Sequence, residues 1–141
     1  MVINGVPFTF EILWLIPLIL ELFVFALALA FILSALYVKF RDINYIWELV
    51  LQAGFYATPI LYPIAMVVAI SPLAAQIMIL NPVAQILQDA RYFVVSKESE
   101  TISTIYDNVW MHLVPIAIVI IVAIIGALYF KKKSPGFAEE I

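Results

Sequence analysis

An all-helical protein embedded in a membrane, with three crossings and an outer re-entrant or interfacial helical hairpin, is what this 141-residue sequence predicts. Three observations carry that expectation. The stretch from Leu113 to Phe130 runs eighteen residues without a charge and ends in Lys131, Lys132 and Lys133. The chain as a whole is 66% hydrophobic and 12% charged with a mean hydropathy of +1.12, outside the range of water-soluble globular domains. Prolines then punctuate the apolar middle of the chain, where an unbroken run would otherwise read as one more span.

The first element is the apolar block 12–38, interrupted by one ionisable residue, Glu21. Twenty-seven residues exceed the roughly twenty needed for a hydrocarbon core of about 30 Å, so tilt or an interfacial overhang is expected. Lysine and arginine are enriched on the cytoplasmic flanks of spans. Lys39 and Arg41, with Asp42 beside them, therefore mark a cytoplasmic interface, and the start of the sequence lies outside. Glu21 falls near the outer edge of the core. It is read either as a contact for substrate or protons, or as an interfacial carboxylate in water or paired with a neighbouring helix; its depth favours the second.

The link that follows, YVKFRDINYIWE, interleaves aromatic and basic residues as an interfacial segment does. Asp42 or Asn44 is placed to cap the next helix. That helix is the second expected span, 45–62, apolar apart from Glu48 and Gln52. Its far end carries Pro59 and Pro63 in the string TPILYP. Each proline removes a backbone donor and disfavours helix at the preceding residue, so the helix kinks or ends there. A carbonyl freed in lipid needs another partner, and Thr58 and Tyr62 are placed to supply one. Two readings stay open for Pro59 and Pro63: a plain terminator, or a hinge beside a water-accessible path.

Residues 64–80 are apolar enough to score as a span, yet Pro72 and the pair Asn81-Pro82 break them. Ser71-Pro72 and Asn81-Pro82 each read as an N-cap followed by proline at the first helical position. The expectation is an outer helical hairpin over 71–95, built of two short helices. Segments of 10–14 apolar residues favour such re-entrant or interfacial placement over spanning. Topology agrees: an even number of crossings must separate the two lysine-flanked ends, and the spans 45–62 and 109–130 already supply two. Of seven lysines and arginines, five lie on the proposed inside and only Arg91 and Lys97 outside.

The polar loop 96–108 reads as an outer connector to the last span, 109–130. His112 sits at the mouth of that span; with no second histidine and no cysteine it reads as an interfacial residue and not as a metal ligand. The chain has no cysteine for a disulfide, and its opening residues MVINGVPFTF lack the basic n-region of a signal peptide. No GxxxxGK[ST] loop is present, so the chain is not expected to hydrolyse a nucleotide itself.

Four strings in this order, SALYVKFRDI, YIWELVLQAGFYATPILYP, ILNPVAQILQDAR and YFKKKSPGFAEEI, resemble the C-terminal half of the permease subunit of type-2 ABC exporters, in the polysaccharide, O-antigen and teichoic acid branch. Each string alone is weak; their order and spacing carry the resemblance. It implies a bacterial plasma-membrane permease that pairs with a second copy of itself and with a cytoplasmic ABC ATPase subunit. That partner would use the ATP, this chain binding no cofactor and no nucleic acid. The substrate implied is a polysaccharide or lipid-linked glycan, and aromatic faces that stack on sugar rings make Phe55, Tyr56 and Tyr62 candidates for lining its path; packing against neighbouring helices is the alternative for each. The family has six spans, of which 12–38, 45–62 and 109–130 resemble the fourth to sixth. The first three have no counterpart, so a piece of a longer permease is expected.

Other classes stand beside this one. A related exporter of drugs, haem or other small molecules fits the same pattern. A small structural membrane protein fits the composition. An intramembrane enzyme would need paired carboxylates, HExxH or a Ser/His or Ser/Lys pair at membrane depth, and the spans offer only Glu21 and Glu48 near their ends.

Overall fold

A computed structural model describes residues 10–40 and 42–134, and every regular element within them is a helix. A 3-10 turn, Phe10–Trp14, leads into α1 (Leu15–Lys39). Then come α2 (Ile43–Ala57), α3 (Ile64–Ile70), α4 (Pro72–Ile79), α5 (Pro82–Val94) and α6 (Ile102–Tyr106). A second 3-10 turn, Val109–His112, runs into α7 (Leu113–Lys133).

Two of these helices are long and apolar enough to cross a membrane, Ile12–Lys39 with 28 residues and Val109–Lys133 with 25. Both start alike. Pro17 and Pro115 fall in the first turn of α1 and α7, where a missing N–H breaks no intrahelical bond. Both end at lysine: Lys39 in one, Lys131 to Lys133 in the other.

The two helices pack along a seam of small residues. Ala28, Ala35 and Gly126 are buried there, and a Cβ built on Gly126 would lie 2.7 Å from the Ala28 carbonyl oxygen. Small residues permit the close van der Waals approach of one helix backbone to the other. One turn further on, the rings of Phe31 and Phe130 meet at 5.1 Å. Residue numbers rise together along the seam, so α1 and α7 run parallel, with their lysines at one end and Glu21 and His112 at the other.

The helix expected over 45–62 runs instead from Ile43 to Ala57. Thr58, which precedes Pro59, is extended at φ −101° and ψ 131°, as the steric clash with the proline ring requires. Fifteen residues rise only about 22 Å, and none of them is buried. Asp42 occupies the N-cap position but its side chain makes no capping bond. Beyond α2 the bend is tied down. The Tyr62 hydroxyl donates to the Tyr56 carbonyl at 2.9 Å, Asn81 Nδ2 to Thr58 Oγ1 at 3.4 Å, and Arg91 Nη2 to the Ile60 carbonyl at 2.6 Å.

The middle of the chain folds as a cap of short helices. Ser71 Oγ accepts from the Ala74 N–H and Asn81 Oδ1 from the Val83 N–H, each just before a proline at the first helical position. Ile64, Ala75, Ile79 and Ile102 form the cap's own core, with Tyr106 packed against it and donating its hydroxyl to the Gln76 carbonyl at 3.0 Å. Helix α5 joins this cap to the spans: Phe93 stacks on Trp14 at 6.1 Å, beside the start of α1, and Asp89 reaches His112 at the start of α7. The chain thus runs down α1 to the lysine end, returns through α2 and the bend to the cap, and runs down again through α7.

Candidate functional site

Where α5 lies across the starts of α1 and α7, a cavity of about 470 Å³ opens to the surface. Trp14 and Glu21 line it from the α1 side, Gln85, Asp89, Tyr92 and Phe93 from α5, and His112 from the turn before α7. Thr101, Ser103 and Thr104, around the start of α6, add hydroxyls to its wall. Among the described residues that line it there is no lysine or arginine.

Helical spacing puts Gln85 and Asp89 on one face of α5, four residues apart. Gln85 Nε2 donates to Asp89 Oδ2 at 2.5 Å, and His112 Nε2 lies 3.4 Å from the same oxygen. His112 Nδ1 lies 3.1 Å from the Val109 carbonyl, an acceptor, so Nδ1 carries a proton. Nε2 then faces the Asp89 carboxylate oxygen. With both ring nitrogens engaged, His112 activates neither Ser103 nor Thr104 in this arrangement.

Burial holds the Asp89 carboxyl above its ordinary pKa, although the hydrogen bond from Gln85 and the nearby His112 pull it down. Gln85 is 2% exposed and its Oε1 has no hydrogen-bond partner; neither has Glu21 Oε1. Both orphaned atoms are acceptors. Such atoms cost about 1–3 kcal/mol each unless something fills the space with a donor. Among the described residues no group of three or more His, Asp or Glu is gathered closely enough to hold a metal ion.

The residues expected to line a path lie elsewhere. Phe55 and Tyr56 form an edge-to-face pair at 5.7 Å on the exposed surface of α2, and Tyr62 spends its hydroxyl on the Tyr56 carbonyl. None of the three lines the cavity. Pro59 is fully buried in the bend between the contacts of Thr58 and Ile60 with α5, and Pro63 is the residue before α3. At the opposite end Lys39 is exposed, its Nζ 5.2 Å from the centre of the Phe40 ring, and Asp42 is exposed beside it. Arg41 lies outside the described residues.

The residues that do converge, Glu21, Gln85, Asp89 and His112, were read in the sequence one at a time or not at all. One local signal pointed to them. Gln85, Gln88 and Asp89 recur at spacings of three and four in an otherwise apolar chain, which marks a polar helix face that needs partners. Those partners come from 64 residues earlier and 23 later, a separation that no local pattern spans. Comparison with protein-family models, with curated proteins and with solved structures finds no match to this chain.

Proposed function

We propose that this chain is a membrane-transport component for a hydroxyl-rich substrate, a polysaccharide or lipid-linked glycan, working with a cytoplasmic ABC ATPase subunit and a second copy of itself. The observation that carries the reading is the composition of the cavity wall. Ring faces from Trp14, Tyr92 and Phe93 adjoin carboxylate, amide and hydroxyl groups, the combination that stacks on a sugar ring and hydrogen-bonds its hydroxyls. This differs from the surface first expected to meet a glycan, on Phe55, Tyr56 and Tyr62.

In this reading α1, α2 and α7 are three crossings, with α3 to α6 on the outer side of the plasma membrane. The parallel course of α1 and α7 supports it, because two parallel spans need a returning leg, and α2 with its bend is the leg available between them. Lysines at the shared end support a cytoplasmic position for that end. A cysteine placed at Ser99 should then react with an impermeant thiol reagent in intact cells, and one placed at Ser134 should not; the reverse pattern overturns the orientation. For transport itself, the chain is depleted in its host and lipid-linked glycan is measured on the cytoplasmic side. Accumulation that a plasmid-borne copy reverses is the expected result. Unchanged glycan levels sink the reading.

A further inference from the structure

The cavity's unfilled hydrogen-bonding capacity is lopsided. Among the described residues that line it, Glu21 Oε1 and Gln85 Oε1 are orphaned, one from a carboxylate and one from a side chain 2% exposed, and both are acceptors; the orphaned donor Gln88 Nε2 lines a separate pocket. The missing partner is therefore a donor. A hydroxyl offers one proton and no charge, while an ammonium offers three protons and a positive charge. Among the described lining residues Glu21 and Asp89 supply two carboxylates and His112 one imidazole, and three protons let one ammonium serve both orphaned acceptors at once.

The aromatic side of the cavity points the same way. Lys97 Nζ lies 4.3 Å from the centre of the Tyr92 ring and 5.2 Å from that of Phe93, so the two rings that line the cavity already carry an ammonium of the chain's own at the rim. A metal ion is a poorer fit, since among the described residues no three carboxylate or imidazole groups are gathered closely enough to hold one.

We propose that the outer cavity recognises a primary ammonium group on a hydroxyl-bearing ligand, an amino sugar in the simplest case, through Glu21, Gln85 and Asp89. The ammonium donates to the orphaned acceptors, and the sugar face lies against Trp14. This deepens the transport reading and takes its site from it, but the test below reads binding and not export.

The full-length chain in detergent micelles is titrated calorimetrically with glucosamine, glucose and N-acetylglucosamine at neutral pH and fixed salt. A charge-assisted hydrogen bond makes glucosamine bind about tenfold more tightly than the other two. Glu21→Gln brings the glucosamine-to-glucose ratio close to one, while Glu48→Gln, on α2 and outside the cavity, keeps it. Equal binding of the three sugars, no binding of any, or an unchanged ratio in Glu21→Gln overturns the proposal. A melting curve by circular dichroism shows whether Glu21→Gln folds; if it does not, Asp89→Asn is read against the same ratio. Selective glucosamine binding in a chain whose depletion leaves glycan levels unchanged would keep the ammonium site and remove the transport reading. Glycan accumulation without that selectivity would do the opposite.

Discussion

Two helices of this chain carry a glycine in their interior, and the two glycines live in different worlds. In α7, Gly126 faces the backbone of α1 so closely that any side chain would meet the Ala28 carbonyl oxygen. In α2, a Cβ on Gly54 would meet nothing within 4 Å. Helix α7 is one half of a fitted seam. Helix α2 buries no residue and is held at its far end, where Thr58 and Ile60 are bonded to Asn81 and Arg91. The difference separates what the described part of the chain builds for itself, a parallel pair of helices under a cap, from a returning leg fixed at its far end by that cap.

The largest expected effect comes from closing the seam. Gly126→Ala puts a methyl against backbone that cannot swing away, so α1 and α7 must move apart, at a cost of about 1–3 kcal/mol typical of overpacked sites. Thermal melts in one detergent should show a clear drop in midpoint. An unchanged midpoint would mean the helices are not in contact at that residue.

Next comes the anchor of α2. Asn81→Ala removes the cap of α5 and the bond to Thr58 together, so it should cost more than the roughly 1 kcal/mol of an ordinary cap. Ser71→Ala removes a cap alone and is the reference for that excess. Equal losses in the two variants would show that the link to α2 contributes nothing.

These caps also show what was legible in the sequence and what was not. Ser71-Pro72 and Asn81-Pro82 are local signals: the side chain bonds an N–H two or three residues on, and the proline presets the first turn. The two long apolar runs read directly as helices able to span, for the same reason that length and composition suffice. The cavity did not read. Glu21 and His112 each look like lone interfacial residues until α5 brings Asp89 between them, and the stacking of Trp14 on Phe93 joins residues 79 apart. Aromatic residues near a span end, such as Phe55 and Tyr56, attract attention in the sequence because nothing there tells an exposed ring from a cavity wall.

A smaller effect, of opposite sign, is expected at the other glycine. Gly54→Ala meets no neighbour and gains helix propensity, stabilising α2 by up to about 1 kcal/mol. A loss of stability there, comparable to Gly126→Ala, would mean that α2 has a close neighbour after all and would erase the contrast between the two helices.

The smallest effect concerns how α5 holds α7, and it appears as a slope with pH. Burial raises the Asp89 pKa in the folded state, while the hydrogen bond from Gln85 and the proximity of His112 oppose the shift, so the net displacement is what remains of a cancellation. With a raised pKa the folded chain binds more protons than the unfolded one through this group, and stability falls as pH rises from the ordinary aspartate range through the folded value. Asp89→Asn removes that contribution, so the fall with pH in the wild type should be steeper than in the variant over that interval. Every other titrating residue is common to both chains, so the difference reports Asp89 together with its coupling to the charged groups beside it. Parallel curves would mean that Asp89 titrates alike in both states.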